Sequence, residues 1–187
     1  MKQLATVLSI CLALTAGAQQ NNVVQTTLKP WLDKAKQQNQ NVMVIFWASW
    51  CTWCKQHEAF VLDPSLKETM VENFTIAFVR VQESAEHKDK ETKGGAELLK
   101  ALGGEKQGIP FVAFVTPDGR LIANSNRAVD GKQENIGHPV KPEEIQHYMT
   151  IIRRAGPKLT GEQLAAIEDR LRNPRRRSGD DKPDPKP

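Results

Sequence analysis

Val42-Met43-Val44-Ile45-Phe46-Trp47-Ala48-Ser49-Trp50-Cys51-Thr52-Trp53-Cys54-Lys55 is the stretch on which the fold turns. Its first six residues form a continuous apolar run, as a central strand buried on both faces requires. Two cysteines three positions apart follow directly. A strand leading into a helix whose first turn carries Cys-x-x-Cys brings the two thiols within disulfide reach. It also aims the unpaired N–H groups and the positive dipole end of the helix at the first sulfur. That field favours the thiolate, the species that attacks disulfides. The pattern reads as a reversible dithiol/disulfide switch.

Upstream, Thr26 to Gln38 predicts a polar helix with Leu28, Trp31, Leu32 and Ala35 on one side and Pro30 in its first turn. Downstream, the Cys-x-x-Cys helix is expected to run to Leu62. Asp63-Pro64-Ser65 then restarts a helix to about Glu72, with Asp63 as N-cap and Pro64 at the first helical position. Phe74 to Val81 reads as a second strand, and Gln82 to Lys93, almost without apolar residues, as a solvated loop. Ala96 to Leu102 is a short helix closed by Gly103-Gly104. Pro110 to Val115 is a third strand. Thr116-Pro117-Asp118-Gly119 turns it back into a fourth, Arg120 to Ala123, as an antiparallel hairpin.

Asn124 to Val140 reads as a polar surface loop. Pro142 to Arg154 is helical, with Ile145, Tyr148, Met149 and Ile152 as its apolar stripe. Thr160 and Gln163 form a capping box for a last helix that docks through Leu164, Ile167 and Leu171.

Residues 1–18 read as a signal peptide. Lys2 gives a positive start, Leu4 to Leu14 an apolar stretch, and Ala16-Gly17-Ala18 the small residues of a cleavage site. An apolar stretch this short falls below the roughly 20 residues that span a bilayer. Lipidation at Cys11 is disfavoured, because Ile10 precedes it and the apolar run continues past it. The mature protein is therefore expected to be exported, periplasmic or extracellular, and not membrane-spanning. It divides into one domain over 19–158, a C-terminal helix over 159–172, and a disordered basic, Pro-rich tail over 173–187.

The net charge of +4 is local. Six basic residues from Arg172 onward face three aspartates; without these and Lys2, 19 basic residues balance 19 acidic ones. A neutral body gives no basic face for nucleic acid. Two cysteines closing so small a loop would add little as a structural staple.

The element order, with a hairpin opened by Gly108-Ile109-Pro110-Phe111 and turned at Pro117-Asp118-Gly119, resembles the thioredoxin superfamily over about residues 24 to 155. Trp53 inside the motif and Leu62-Asp63-Pro64 after it are most similar to its exported members. The resemblance implies an α/β thioredoxin-like fold, a central mixed β-sheet flanked by helices, here with an extra C-terminal helix. It implies an exposed nucleophile at Cys51, a buried resolving thiol at Cys54, and a cis-proline at Pro110 beside them. The Ile109 backbone would pair with a client peptide, and the implied activity is protein-disulfide oxidoreduction.

No prosthetic group is implied beyond the Cys51–Cys54 disulfide, and the implied partners are client proteins with thiols or disulfides. An exported reductase would also need a membrane electron donor. Thr52-Trp53 between the cysteines leaves reduction, oxidation and isomerisation open.

Many thioredoxins carry a buried aspartate on the strand before the motif; here Ile45 stands there. Glu58, four residues after Cys54 on an ideal helix, is the candidate substitute proton acceptor. Lys55 joins Glu58 and Pro110 as a supporting residue. Trp50, Thr52 and Trp53 are the candidate substrate contacts with Ile109, the two indoles meeting apolar client segments. His57 extends Cys51 and Cys54 toward a soft-metal triad, but a helix turns position i+6 away and no fourth ligand is apparent, so no metal is expected. His87, His138 and His147 are expected to face solvent, and Trp31 and Trp47 to sit in the core. Two rival functions remain: a thioredoxin-like binding or chaperone module with little turnover, and a metal carrier using the same thiols.

Overall fold

A computed structural model describes residues 22–174. The expected signal peptide and nearly all of the expected tail lie outside the described residues. The ordered chain runs α1 (Lys29–Gln38), β1 (Asn41–Trp47), α2 (Thr52–Val61), α3 (Lys67–Asn73), β2 (Phe74–Arg80), a 3₁₀ helix (Ala85–Lys90) and α4 (Gly95–Ala101). It continues through β3 (Phe111–Val115), β4 (Leu121–Asn124), β5 (Asn126–Val129), β6 (Lys132–Asn135), α5 (Pro142–Ala155) and α6 (Gly161–Arg172). This is the mixed α/β architecture expected of a thioredoxin-like fold.

The strands form one four-stranded sheet of order β2-β1-β3-β4 and a separate β5-β6 ribbon. β1 pairs parallel with β2 and antiparallel with β3. Its five middle residues are all buried, which is why the run needed no polar alternation. Side chains alternate between the two faces of a strand. Met43 and Ile45 therefore join Val112, Phe114, Phe74 and Tyr148 in one core, while Val42, Val44 and Phe46 join Phe111, Leu28, Leu32 and Leu98 in the other. Each layer is closed by helices, α5 and α6 on the first side and α1 and α4 on the second.

Several expectations are corrected. The N-terminal helix is broken at Leu28, residues 22–27 being helical on one side and α1 beginning at Lys29 with Pro30 in its first turn. Asp63 does not cap a helix. α3 begins four residues later, after Leu66, and the Asp63 carboxylate instead accepts the Ser65 N–H at 3.0 Å and Arg170 Nε at 2.9 Å. The carboxylate thus serves a turn and a buried ion pair with α6. Burial opposes its ionisation, but the Ser65 and Arg170 bonds prevail and hold it down to about 2.

The 82–93 segment is more than a solvated loop, since it contains the 3₁₀ helix and a buried carboxylate, Glu83. The 124–140 segment contains the β5-β6 hairpin. Asp130 and Gly131 both take positive φ, +48° and +78°, as a two-residue hairpin turn requires. At the other end of the chain, Ile167 and Leu171 dock α6 into the first core. Among the described residues, no helix is long and apolar enough to cross a membrane.

Candidate active site

Cys51 is the N-cap of α2, in extended conformation, and its Sγ accepts the Cys54 N–H at 3.1 Å. The two sulfurs are joined as a disulfide, with Cα atoms 5.2 Å apart. A sulfur in this position receives one of the orphan donors of the helix start and lies at its positive end, so the same geometry stabilises a thiolate once the bond opens. Cys51 Sγ also lies 3.5 Å from the Ile109 carbonyl oxygen. A disulfide sulfur carries no proton, so this is a contact in the oxidised state and an acceptor for the thiol in the reduced one. The Ile109–Pro110 peptide is cis.

One feature differs from the implied picture of an exposed nucleophile. Cys51 is only 4% exposed, little more than Cys54 at 2%. The closed disulfide packs on Ala48, with Trp47 and Ile109 against it. What faces solvent is the indole pair, Trp50 at 57% and Trp53 at 51%. Thr52, Lys55 and Glu58 are also exposed. Glu58, four residues after Cys54 on α2, thus presents its carboxylate to solvent. On β1, Ile45 is a core residue.

A groove of about 410 Å³ opens beside the motif. Trp53, Ile109, Pro110, Ile136, His138 and Val140 contribute to its walls. The sequence reading brought Trp53, Ile109 and Pro110 together here but missed the far wall, which follows the β5-β6 hairpin.

It also missed two buried polar pairings. His57 occupies the position on α2 that turns inward one turn after Cys54, and it is fully buried. Its Nδ1 lies 3.3 Å from His138 Nδ1, so one of the two carries the shared proton. Burial, and then the neighbouring His138, push His57 down to about 3. Burial, followed by the charge of Arg170, pushes His138 to about 4 against the opposing pull of Glu144. His138 thus lines the groove instead of facing open solvent, and His147 is also partly buried. The second missed pairing is that of Glu83, whose carboxylate accepts Ser49 N at 2.8 Å and Ser49 Oγ at 2.7 Å.

Residues 24–117 match a family model described as thioredoxin-like. The chain belongs to the thioredoxin-like family. Over 121 residues, or 61% of this chain, it is 33% identical to the thiol:disulfide interchange protein DsbD of Vibrio cholerae serotype O1. It spans only 19% of that protein's length. Among solved structures, it is similar to a disulphide isomerase from Xylella fastidiosa Temecula1, at 17% identity and TM-score 0.46, covering 80% of this chain and 92% of the other. It is also similar to a DsbH oxidoreductase, at 18% identity and TM-score 0.42, covering 68% and 80%. Family membership and the Cys-x-x-Cys pair together support protein-disulfide oxidoreductase chemistry.

Proposed function

We propose that this chain is an extracytoplasmic thiol–disulfide oxidoreductase that exchanges electrons with client protein disulfides through Cys51 and Cys54. The observation that carries the reading is the placement of Cys51 Sγ at the N-cap of α2, 3.1 Å from the Cys54 N–H and bonded to the Cys54 sulfur. The sequence of residues 1–18, read as an export signal, supports the compartment.

In the reducing direction, the Cys51 thiolate attacks one sulfur of a client disulfide, and the other client sulfur leaves as a thiolate. The Cys54 thiolate then attacks Cys51 in the mixed disulfide and displaces the second client thiolate. Two electrons pass from the cysteine pair to the client, leaving the Cys51–Cys54 disulfide. The reverse sequence oxidises a client dithiol. The two sulfurs carry the electrons without a prosthetic group, and sustained reduction draws on a membrane donor. Trp50 and Trp53 beside the sulfurs, and the groove next to Ile109, would receive an apolar client segment.

A Cys54→Ala variant tests this directly. It is expected to accumulate client proteins linked through Cys51 in the compartment to which the protein is exported, while the wild type reduces a model protein disulfide in the presence of dithiothreitol. Absence of both trapping and turnover would favour a binding module instead.

A further inference from the structure

The geometry points to Glu83 as a positioning residue for Cys51, the buried end of a clamp that holds the loop before the nucleophile. Both of its oxygens are used on one residue of that loop, Oε1 on Ser49 N and Oε2 on Ser49 Oγ. Ser49 lies two residues before Cys51, so its placement sets where the N-cap sulfur stands. The preceding residue of the clamp grips the same loop a second time, since Trp50 Nε1 donates to the Gln82 carbonyl at 2.7 Å. Val81 N donates to the Trp47 carbonyl at 2.9 Å, and the Arg80 guanidinium lies 4.5 Å over the Trp47 ring. Residues 80–83 therefore fasten residues 47–50 at four successive points.

The clamp is itself braced. Gln82 takes a positive φ of +54°, a conformation unusual for a non-glycine residue and held where its surroundings over-determine it. Glu83 N donates to Glu91 Oε1 at 2.8 Å, and Lys88 Nζ lies 2.8 Å from the same oxygen. A carboxylate that is only 7% exposed is costly unless bonded. Ser49 supplies that bonding and holds Glu83 below the usual carboxylate range, with burial working against it. The charged groups facing Glu83 are Arg80, with Nε at 3.5 Å, Glu91, and more distantly His87. Nothing in α2 needs this arrangement for helix formation; what it secures is the loop that delivers Cys51.

This inference rests on Cys51 being the nucleophile, and the test separates the two claims. In Glu83→Gln, the carboxamide oxygen can keep the Ser49 N–H, but the new NH₂ only donates, so Ser49 Oγ must turn its proton away and accept, and both bonds lose their charge assistance. Losing the charge alone would make the Cys51 thiolate easier to form and move its pH profile acidward. Losing the clamp loosens the direct bond from Cys54 N–H and moves the profile alkaline. The direct bond outweighs the charge, because Glu83 is already compensated by Arg80 and Ser49.

The experiment labels Cys51 in the reduced protein with iodoacetamide between pH 5 and 10 and follows its peptide by mass. Glu83→Gln is expected to shift the midpoint alkaline by about one pH unit, roughly a tenfold loss of thiolate near neutrality. Ser49→Ala, milder because the backbone bond survives, is expected to shift the same way. The double variant should move no further than Glu83→Gln alone. Circular dichroism checks that each variant is folded. A depressed wild-type midpoint that neither variant moves, or moves acidward, overturns the clamp and leaves the oxidoreductase reading standing. A wild-type midpoint no lower than that of a free thiol removes both.

Discussion

Acidification through the ordinary histidine range should weaken this protein. In the unfolded chain His57 and His138 would titrate near their ordinary value of 6.5, whereas folding pushes them to about 3 and about 4. Between those limits the unfolded state binds more protons, so stability is complete above pH 6.5 and falls as the pH drops. From pH 7.5 to 5.5 each histidine contributes a loss of about 1.4 kcal/mol, and the pair about 3 kcal/mol. That is a large share of the roughly 5–15 kcal/mol by which domains are stable.

The assay is urea unfolding of the oxidised protein at the two pH values, for wild type and His57→Phe. The phenylalanine keeps an aromatic ring between Phe60 and Tyr148, which flank His57 at 5.9 and 5.7 Å, but does not titrate. Wild type should lose about 3 kcal/mol and the variant about half of that. Equal wild-type stability at both pH values, or an equal loss in the variant, refutes the claim that the buried pair is neutral.

Further outcomes follow from other contacts. Arg170→Met removes the Arg170 guanidinium from the nearly buried Asp63 carboxylate, and thermal denaturation should show a loss of about 3 kcal/mol, roughly 6–12 °C in Tm. Because Asp63 is held down to about 2, its contribution is present above the ordinary aspartate range and disappears as pH falls toward 2; an acid titration of wild type against Asp63→Asn measures this. Glu58→Gln should leave the pH profile of thiol exchange unchanged, since Glu58 faces solvent. Gly119→Ala should cost about 1–3 kcal/mol in urea unfolding, because φ at this turn is +83° and the added carbon would lie 2.6 Å from Gln25 Nε2.

The parts of the fold that the sequence disclosed are those where burial writes a local pattern. The unbroken run at β1, the stripe on α5 and the Thr160–Gln163 capping box each state their own structure. The β5-β6 hairpin carries no apolar alternation, since none of its residues is fully buried, yet Asp130-Gly131 between them is the dipeptide such a turn favours and was the available signal.

At the site, the Cys51–Cys54 pairing was legible because the two residues stand only three positions apart at a helix start. His57 with His138, and Ser49 with Glu83, were not: their partners lie 81 and 34 positions apart, and a polar residue in a charged stretch gives no sign that folding will bury it. Asp63 misled for the same reason. It reads as a cap locally, but its carboxylate is taken by Arg170, 107 positions away.

The cysteines pack with Ala48, Trp47 and Ile109 as a small cluster of their own, which meets the second large core of the sheet through Ile109. Opening and closing one bond therefore reaches the interdigitated interior beside β1 through Ile109. Sulfur chemistry is thus set largely apart from structural integrity, so repeated turnover need not loosen the scaffold that carries it.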